Sequence, residues 1–267
     1  MLSPMPDDDV TPPLTRRRVI GLLGAVGLGA VAAACGGNDS SSAGGDPGTS
    51  GTSGTPGTSG GTSASTTTAA ASCVLTPEVT AGPYSIDADL VRSDITEGKA
   101  GAPVELAITV VDADTCVPVR DAAVDIWHCD AEGIYSGFEA ASTGGPPSGG
   151  RGAQDSTRYL RGTQVTGADG VATFRTIYPG WYRGRAVHVH MKIQVDSSTR
   201  HVGQLFFGDE LTDSVYESTP YSDRGSPDVR NSDDGIYAQA GGRSAIPTMA
   251  PAGDGYRGTI TVGVSQS

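Results

Sequence analysis

Two histidines, His188 and His190, are separated by a single residue in a stretch typical of a β-strand. Successive side chains of a strand point to opposite faces, so both imidazoles lie on one face with their Cα atoms roughly 6.6 Å apart. This is a chelating geometry on a rigid element, and Val187, Val189 and Met191 are then expected to face the core. The pair alone is weakly specific, because two histidines can also line a polar sheet face without binding anything.

Two tyrosines occupy turns that could bring them to the same place. Tyr135 directly follows a predicted strand, and Tyr182 lies six residues before His188. A phenolate is a hard anionic donor that a trivalent cation can bind, although a free phenol ionises only near pH ~10. Two phenolates with two imidazoles suit Fe(III) better than Zn(II) or Cu(I). Each tyrosine alone is more typical of a core aromatic, so only the combination indicates a ferric site. A copper or zinc site using His188, His190 and another ligand remains open.

Strand-forming segments separated by Gly, Pro and Asp turns dominate the C-terminal part of the chain. This pattern predicts an all-β fold, a β-sandwich of mainly antiparallel strands with long active-site loops. Residues 209–216 form the one predicted helix, short and with Asp209 as its N-cap. Residues 140–157 form a long irregular loop. The predicted strands are 104–112, 122–127, 159–165, 171–177, 186–195, 203–207 and 256–264.

The N-terminal third of the chain is not expected to be part of this fold. Residues 1–35 combine adjacent arginines at 16–18, an apolar run at 19–34 and Cys35 after three alanines. They are typical of a twin-arginine export signal with a lipobox, and the apolar run is too short and glycine-rich for a transmembrane helix. Residues 36–72 are almost wholly Gly, Ser, Thr and Ala and predict a disordered tether. We therefore expect one domain at 73–267, either lipid-anchored at the outer face of the cell membrane or secreted.

Charge and cysteine content narrow the partners and the compartment. Residues 73–267 carry 15 basic and 25 acidic side chains, and this negative charge argues against nucleic acid as a partner. The membrane is expected as a partner only through the N-terminal lipid anchor. Outside the cell a disulfide can form, and Cys73 with Cys116 is the preferred pairing. Cys116 and Cys129 are separated by a strand of about ten residues, which spans some 33 Å and is too long for a bridge.

Residues 117–135, with Tyr135 at their end, resemble the signature of the intradiol ring-cleavage dioxygenases, the family of protocatechuate 3,4-dioxygenase and catechol 1,2-dioxygenase. The resemblance extends over about residues 74–208, and residues 76–84 are similar to the protocatechuate branch. It implies one Fe(III) per chain, held by a set of four side chains, and two further active-site residues. The implied metal ligands are Tyr135, Tyr182, His188 and His190, and the implied catalytic residues are Tyr182, Arg185 and Gln204.

The same resemblance implies the reaction. A catechol-type substrate would displace a solvent hydroxide and Tyr182 from the iron, and those two groups would accept the protons of the catechol hydroxyls. O₂ would then cleave the ring between the two hydroxylated carbons to give a cis,cis-muconate-type diacid. Arg185 would stabilise charge on the ring, although strand alternation places it opposite His188 unless Gly184 re-aims it. Gln204 would hydrogen-bond to the same region.

The chain also departs from the familiar members of that family. The helical N-terminal dimerisation region typical of catechol dioxygenases is replaced by the tether, which resembles an exported, single-chain branch. The ring substituents of the substrate and the oligomeric state remain open. The alternative is a non-catalytic, surface-tethered β-sandwich binding module, which has no need for two tyrosines and two histidines to converge.

Other side chains carry weaker expectations. His128 is expected to be structural, and His201 to lie in a surface turn. Tyr84 could reach the mouth of the pocket or serve packing alone. Trp181 and Tyr178 could line an aromatic pocket or belong to the core.

Overall fold

The computed structural model describes residues 73, 75–88, 90–144 and 152–266. Eight strands in this part of the chain form two four-stranded sheets that share one hydrophobic core. The strands are β1 Pro103–Asp112, β2 Ala123–Trp127, β3 Arg161–Val165, β4 Val171–Ile177, β5 His188–Val195, β6 Ser198–Phe206, β7 Thr248–Ala252 and β8 Gly255–Val264. The α-helices are α1 Glu139–Ser142, α2 Asp209–Val215 and α3 Gly235–Gln239, joined by 3₁₀ turns at Tyr221–Asp223, Asn231–Asp233 and Gly242–Ala245.

The strand order is β4-β1-β8-β7 in the first sheet and β3-β2-β5-β6 in the second. Neighbouring strands are antiparallel except β1 and β8, which pair in parallel. The predicted β-sandwich of mainly antiparallel strands is therefore confirmed. The described helices are all too short to cross a lipid bilayer.

Alternation along β5 decides which face carries chemistry. Val189, Met191 and Ile193 are fully buried in the core between the sheets, together with Leu106 and Ile108 of β1. Their burial removes apolar surface from water, which is the main favourable term in folding. The residues between them point to the outer face of the second sheet, where the connecting segments cover them. The two histidines of β5 lie on that outer face.

The β5–β6 hairpin begins earlier than the sequence predicts. Asp196 and Ser197 have φ values of 49° and 62°, the left-handed conformation that a two-residue hairpin turn requires. Consequently β6 starts at Ser198, and the predicted surface turn is strand. His201 lies on β6 with only 1% of its surface exposed, so the surface assignment of this residue is wrong. Its ring occupies the space left by the missing side chain of Gly203.

The helix content also differs from the sequence prediction. Gly208, in an extended conformation, is the N-cap of α2, whereas Asp209 accepts a hydrogen bond from the Asn231 amide at 3.3 Å and does not cap. The additional helices α1 and α3 are only four and five residues long, which leaves little periodicity to detect.

Strand β7 is absent from the sequence prediction because Pro251 argues against a strand. The structure tolerates this proline because β7 is the edge strand of its sheet.

A disulfide joins Cys73 to Cys116, whose Cα atoms are 5.3 Å apart, so the preferred pairing is confirmed, and Cys129 is free and buried. The bridge closes a loop with a sequence separation of 43, which restricts the unfolded chain. We expect its reduction to lower the free energy of unfolding by about 2–4 kcal/mol. Urea unfolding with and without reductant measures this. The Cys73→Ser/Cys116→Ser variant should match the reduced protein and ignore reductant, and an unchanged midpoint after verified reduction would contradict the expectation.

Candidate metal centre

His188 and His190 project from the same face of β5, as their spacing predicts. Their Nε2 atoms are 3.1 Å apart. Both residues are buried, with 2% of the surface of His188 and 1% of that of His190 exposed. The ring of Trp127, on the neighbouring strand β2, stacks parallel to that of His190 with centroids 5.1 Å apart. The two imidazole edges therefore share one small space and are held there by packing.

The hydrogen bonding of His188 leaves its Nε2 lone pair available. The Nδ1–H group donates to the Ala186 carbonyl oxygen at 2.7 Å, which fixes the tautomer in which Nε2 carries no proton. Burial, together with the nearby Arg185 charge, lowers the pKa of His188 to about 3. Burial and the neighbouring His188 lower the pKa of His190 well below its ordinary value. Both imidazoles are thus neutral donors at physiological pH.

Tyr135 reaches the same space from the turn after β2. The Asp130 carboxylate accepts hydrogen bonds from the amides of Glu132 and Ile134 at 3.0 and 2.9 Å and shapes this turn. Gly133, at φ 81°, lies against the Trp181 carbonyl oxygen, where a Cβ would collide. The Tyr135 ring is fully buried, and its hydroxyl has no well-formed hydrogen bond among the described residues. A buried polar atom without such a bond is unusual and calls for an unseen partner.

Tyr182 comes from the loop between β4 and β5, which packs directly on the Tyr135 turn. The amide of Gly180 donates to the Asp130 carbonyl at 3.1 Å, and a Cβ on Gly180 would collide with that oxygen. The Tyr182 hydroxyl lies 3.2 Å from His188 Nε2, and its ring meets the Tyr135 ring edge-on at 5.5 Å. The structure therefore brings together all four side chains that the sequence singled out as metal ligands.

The pKa values of the two phenols are both raised, which bears on the charge that a bound ion must carry. Burial, followed by the neighbouring Tyr182, raises the pKa of Tyr135 well above its ordinary value. Burial also raises the pKa of Tyr182 to about 12, although Arg185 opposes the shift. Without a cation both groups stay protonated at neutral pH. A tightly bound cation of high charge would favour the phenolates and give the Tyr135 hydroxyl oxygen its missing partner.

The donor set fits ferric iron. Two neutral imidazoles and two phenols supply the hard oxygen and nitrogen ligands that Fe(III) favours. In the described part of the chain, no three His, Cys, Asp or Glu side chains cluster in a way that would hold a metal. The residues present therefore fit a two-tyrosine, two-histidine ferric site, and they do not form the cysteine- or carboxylate-rich site of zinc or calcium.

Arg185 reaches this site although alternation along a regular strand would turn it away. The strand begins only at His188, and Gly184, at φ 82°, turns the chain before it. The Arg185 Nη1 atom lies 3.3 Å from the Tyr182 hydroxyl and 3.5 Å from His188 Nε2. Its Nη2 donates to Gln204 Oε1 at 2.5 Å, and Gln204 pairs with His190 across β5 and β6. Arg185 and Gln204 therefore both lie beside the four candidate ligands, and for Arg185 this is the re-aimed orientation that the sequence left open.

The other side chains singled out in the sequence either contact the candidate ligands or pack elsewhere in the fold. The His128 ring bonds to the Cys129 carbonyl at 2.8 Å and the Thr176 hydroxyl at 2.6 Å, which matches its expected structural role. Tyr84 stacks on Tyr135 with ring centroids 4.4 Å apart, so it does reach the site. Tyr178 belongs to the core, whereas the partly buried Trp181 lies under the Arg224 guanidinium.

Two supporting residues were missed in the sequence. Arg161 is 3% exposed and donates to the backbone carbonyls of Tyr84 and Ser136, which ties together the segments that carry Tyr84 and Tyr135. Asp234 is 3% exposed and accepts from Arg185 Nε at 2.9 Å. Burial opposes ionisation of Asp234, but hydrogen bonds from Ala186 and the Arg185 charge lower its pKa overall. The sequence offers an N-cap signal at Asp234, but nothing that links it to a residue 49 positions away.

Comparison with known proteins assigns the class. The family model described as "Dioxygenase" matches residues 75–226, more than half of the chain. An intradiol ring-cleavage dioxygenase from Tetranychus urticae has a similar structure, with a TM-score of 0.68 and 35% sequence identity over 72% of this chain and 95% of that chain. The chain belongs to the intradiol ring-cleavage dioxygenase family, whose members use non-haem iron.

Two further relatives are more distant. The dioxygenase domain of a dioxygenase–carbohydrate-binding protein fusion from Streptomyces sp. SirexAA-E is 27% identical, with a TM-score of 0.52, over 72% of this chain and 99% of that chain. Catechol 1,2-dioxygenase 1 from Acinetobacter lwoffii is 28% identical over 173 residues, which are 56% of this chain and 51% of that protein. The chain thus spans about half the length of this catechol dioxygenase.

Proposed function

We propose that this protein is a mononuclear non-haem Fe(III) dioxygenase that opens the ring of a catechol-type substrate between its two hydroxylated carbons. O₂ is the second substrate, and a cis,cis-muconate-type diacid is the product. The convergence of two phenols and two imidazoles in one buried space carries this proposal. Membership in the intradiol family supports it, and so does the absence, within the described residues, of another donor set that would explain the buried Tyr135 hydroxyl.

The iron would be held by Tyr135, Tyr182, His188 and His190, one ion per chain. When bound, a ferric ion would supply the electronic activation of the aromatic ring towards O₂. His188 and His190 remain neutral and fixed in orientation by the Ala186 carbonyl and the Trp127 ring. The protein's own contribution is thus to hold these donors rigidly before the substrate arrives.

The two tyrosines have different roles because their surroundings differ. Tyr135 is fully buried beneath Tyr84 and is suited to stay in place throughout the reaction. Tyr182 is partly rather than fully buried, and its oxygen lies next to the Arg185 guanidinium. The Tyr182 oxygen is therefore the group suited to move aside and take a proton from an incoming catechol hydroxyl. No additional general base is needed for that step.

Arg185 and Gln204 act on the ring. The guanidinium is a permanent cation whose Nη1 faces the oxygen of Tyr182, so it lies where negative charge develops on a bound catecholate. Gln204 fixes its other terminal nitrogen, and its own amide donates to the Thr80 carbonyl at 2.9 Å. The pair provides a preformed positive environment that need not reorganise as charge builds up.

Export and lipid anchoring form the second half of the proposal. The twin-arginine signal, Cys35 and the tether lie outside the described residues, so their support is the sequence pattern alone. The disulfide between Cys73 and Cys116 favours an oxidising compartment. We propose that the domain works at the outer face of the cell membrane, held there by a lipid on Cys35, or is secreted if Cys35 is not lipidated.

Oxygen uptake by the iron-loaded protein tests the activity. Catechol, protocatechuate, hydroxyquinol and chlorinated catechols form the panel, because the ring substituents are the least constrained part of the proposal. With ¹⁸O₂, both labelled atoms should appear in one muconate-type product. Cleavage outside the two hydroxylated carbons would contradict the proposed reaction. No uptake with any member of the panel would favour the binding module instead.

Replacing Tyr182 with phenylalanine is expected to shift or bleach the visible colour of the iron-loaded protein. The colour, burgundy in the intact protein, would arise from charge transfer between tyrosinate and iron, and the variant removes one of the two tyrosinates. Absorption spectra before and after the change measure it. Tyr256→Phe on β8 is the control and should leave the spectrum unaltered. An unchanged spectrum in Tyr182→Phe would favour a copper or zinc site on the two histidines, which elemental analysis detects independently.

A further inference from the structure

A buried carboxylate lies directly behind the metal centre, on the segment that follows the matched family region. Asp234 is 3% exposed and precedes α3, and it lies beyond residue 226, where the family match ends. It is joined to Arg185 by an ion pair in which 17% of the arginine side chain and 1% of the aspartate side chain are exposed. The pair is therefore largely shielded from water, unlike the exposed ion pair between Arg230, on the same segment, and Asp213 of α2.

The two oxygens of Asp234 have separate partners. Oδ1 accepts from the amides of Ile236 and Tyr237 at 2.8 and 3.3 Å, which caps the N-terminus of α3. Oδ2 accepts from Arg185 Nε and from the Ala186 amide, both at 2.9 Å. A helix cap requires only the first set of contacts. The second set makes no contact with α3. It joins Asp234 to Arg185 and Ala186, which lie beside the candidate metal centre.

The contact with Nε fixes the direction of the Arg185 guanidinium. Nε donates to Asp234, Nη1 lies beside the Tyr182 hydroxyl, and Nη2 donates to Gln204 Oε1. A free arginine side chain populates many rotamers. Contacts at all three nitrogens of the planar guanidinium restrict it to one of them. Without Asp234, one of these three points is lost and the side chain is free to turn towards solvent.

The contact with Ala186 extends the same control to a histidine. The Ala186 amide donates to Asp234, and the Ala186 carbonyl accepts from His188 Nδ1 at 2.7 Å. One residue of backbone therefore links the carboxylate to the imidazole tautomer in which Nε2 carries no proton. Such partners behind a metal ligand orient it and tune its strength as a donor.

We propose that Asp234 is a positioning residue for ring cleavage, which aims the Arg185 guanidinium at the reacting ring and steadies His188 through Ala186. The inference rests on the proposed function, because the reaction in which Arg185 acts is itself proposed. The hydrogen bonds of the Asp234 carboxylate go to Arg185, Ala186 and the first turn of α3, and none of them goes to a candidate metal ligand. The effect of Asp234 should therefore appear only through Arg185 and His188.

Asp234→Asn is the central variant, because an amide has one acceptor oxygen and can either cap α3 or hold Arg185. We expect kcat for ring cleavage to fall by about 10- to 100-fold, with a smaller change in KM. Asp234→Ser keeps a good N-cap but cannot reach Arg185, so it should lose as much activity with less effect on folding. Asp213→Asn removes only the exposed ion pair and should leave kcat unchanged.

A double-mutant cycle shows whether the effect passes through the arginine. If it does, Asp234→Asn in an Arg185→Ala background should cause little further loss of kcat. Fully multiplicative losses would overturn the proposal, as would normal kcat in both Asp234 variants with iron content unchanged. Rescue of kcat by Asp234→Glu, which restores a carboxylate, would support it.

Nuclear magnetic resonance of arginine Nε–H groups provides a readout without metal or substrate. In the iron-free protein, the Arg185 Nε–H should exchange slowly with solvent, and Asp234→Ser should speed that exchange by at least about tenfold, as for opening of a buried hydrogen bond. Protected Nε–H in a protein without oxygenase activity would remove the proposed function and keep the positioning contact. Full activity with an unprotected Nε–H would keep the proposed function and overturn the positioning role of Asp234.

Discussion

Tyr135→Phe is expected to abolish iron binding and to lower the rate of ring cleavage by at least about 10³-fold, since iron supplies several kcal/mol of catalysis. The apoprotein should remain folded and be no less stable than the wild type. The physical reason is that the Tyr135 hydroxyl is buried without a well-formed hydrogen bond among the described residues, so its loss removes a desolvated polar group and no well-formed hydrogen bond. Iron content, oxygen uptake and urea unfolding of the same preparation measure all three effects.

Tyr178→Phe is the matched control for that variant. The Tyr178 hydroxyl is also buried, but it is hydrogen-bonded to the Thr212 hydroxyl at 2.8 Å within the core. Its removal should lower the free energy of unfolding by about 1 kcal/mol and leave iron content unchanged. The opposite pattern, with Tyr135→Phe unfolded and fully metal-loaded where soluble, would mean that the Tyr135 hydroxyl is structural.

Arg185→Ala is expected to lower kcat by about 10²–10³-fold, the usual effect of removing one group that stabilises charge in a transition state. Iron should remain bound, because none of the four proposed ligands is altered. The guanidinium contacts Tyr182, His188 and Gln204, so the spectrum of the iron site should shift only slightly. Steady-state oxygen uptake and the visible spectrum separate these two effects.

Arg183 offers the control for Arg185. It lies two residues earlier in the same loop, is exposed, and carries the same charge. Arg183→Ala should leave kcat within about twofold of the wild type, since surface substitutions away from such contacts have small effects. Equal losses in the two variants would show that general positive charge, and not the placement of Arg185, is responsible. Loss of iron in Arg185→Ala would contradict the assigned role.

The sequence predicted the parts of the site that depend on local geometry. The alternation of a strand is sufficient to place His188 and His190 together, and Tyr135 and Tyr182 could be assigned to turns that deliver the phenols. The sheet-to-sheet core followed in the same way from period-two apolar residues. These features require only the chain within a few residues of each side chain, which is why they could be read without coordinates.

The parts that were missed depend on contacts between distant segments. The position of Arg185 could not be settled, because strand alternation applies only if the strand has already begun, and here it begins at His188. His201 was assigned to a surface turn because the two-residue turn at Asp196 and Ser197 lacks the glycine or asparagine that usually marks one. The link from Asp234 to Arg185 spans 49 residues and leaves no periodic signal.

The most direct test of the account is the metal content and the resonance Raman spectrum of the purified full-length protein. We predict one iron per chain and tyrosinate vibrations enhanced by excitation into the visible charge-transfer band, with both features lost in Tyr135→Phe. A colourless protein that takes up no iron on reconstitution, or one that holds zinc or copper with no tyrosinate signal, would contradict the ferric site and the ring cleavage that depends on it.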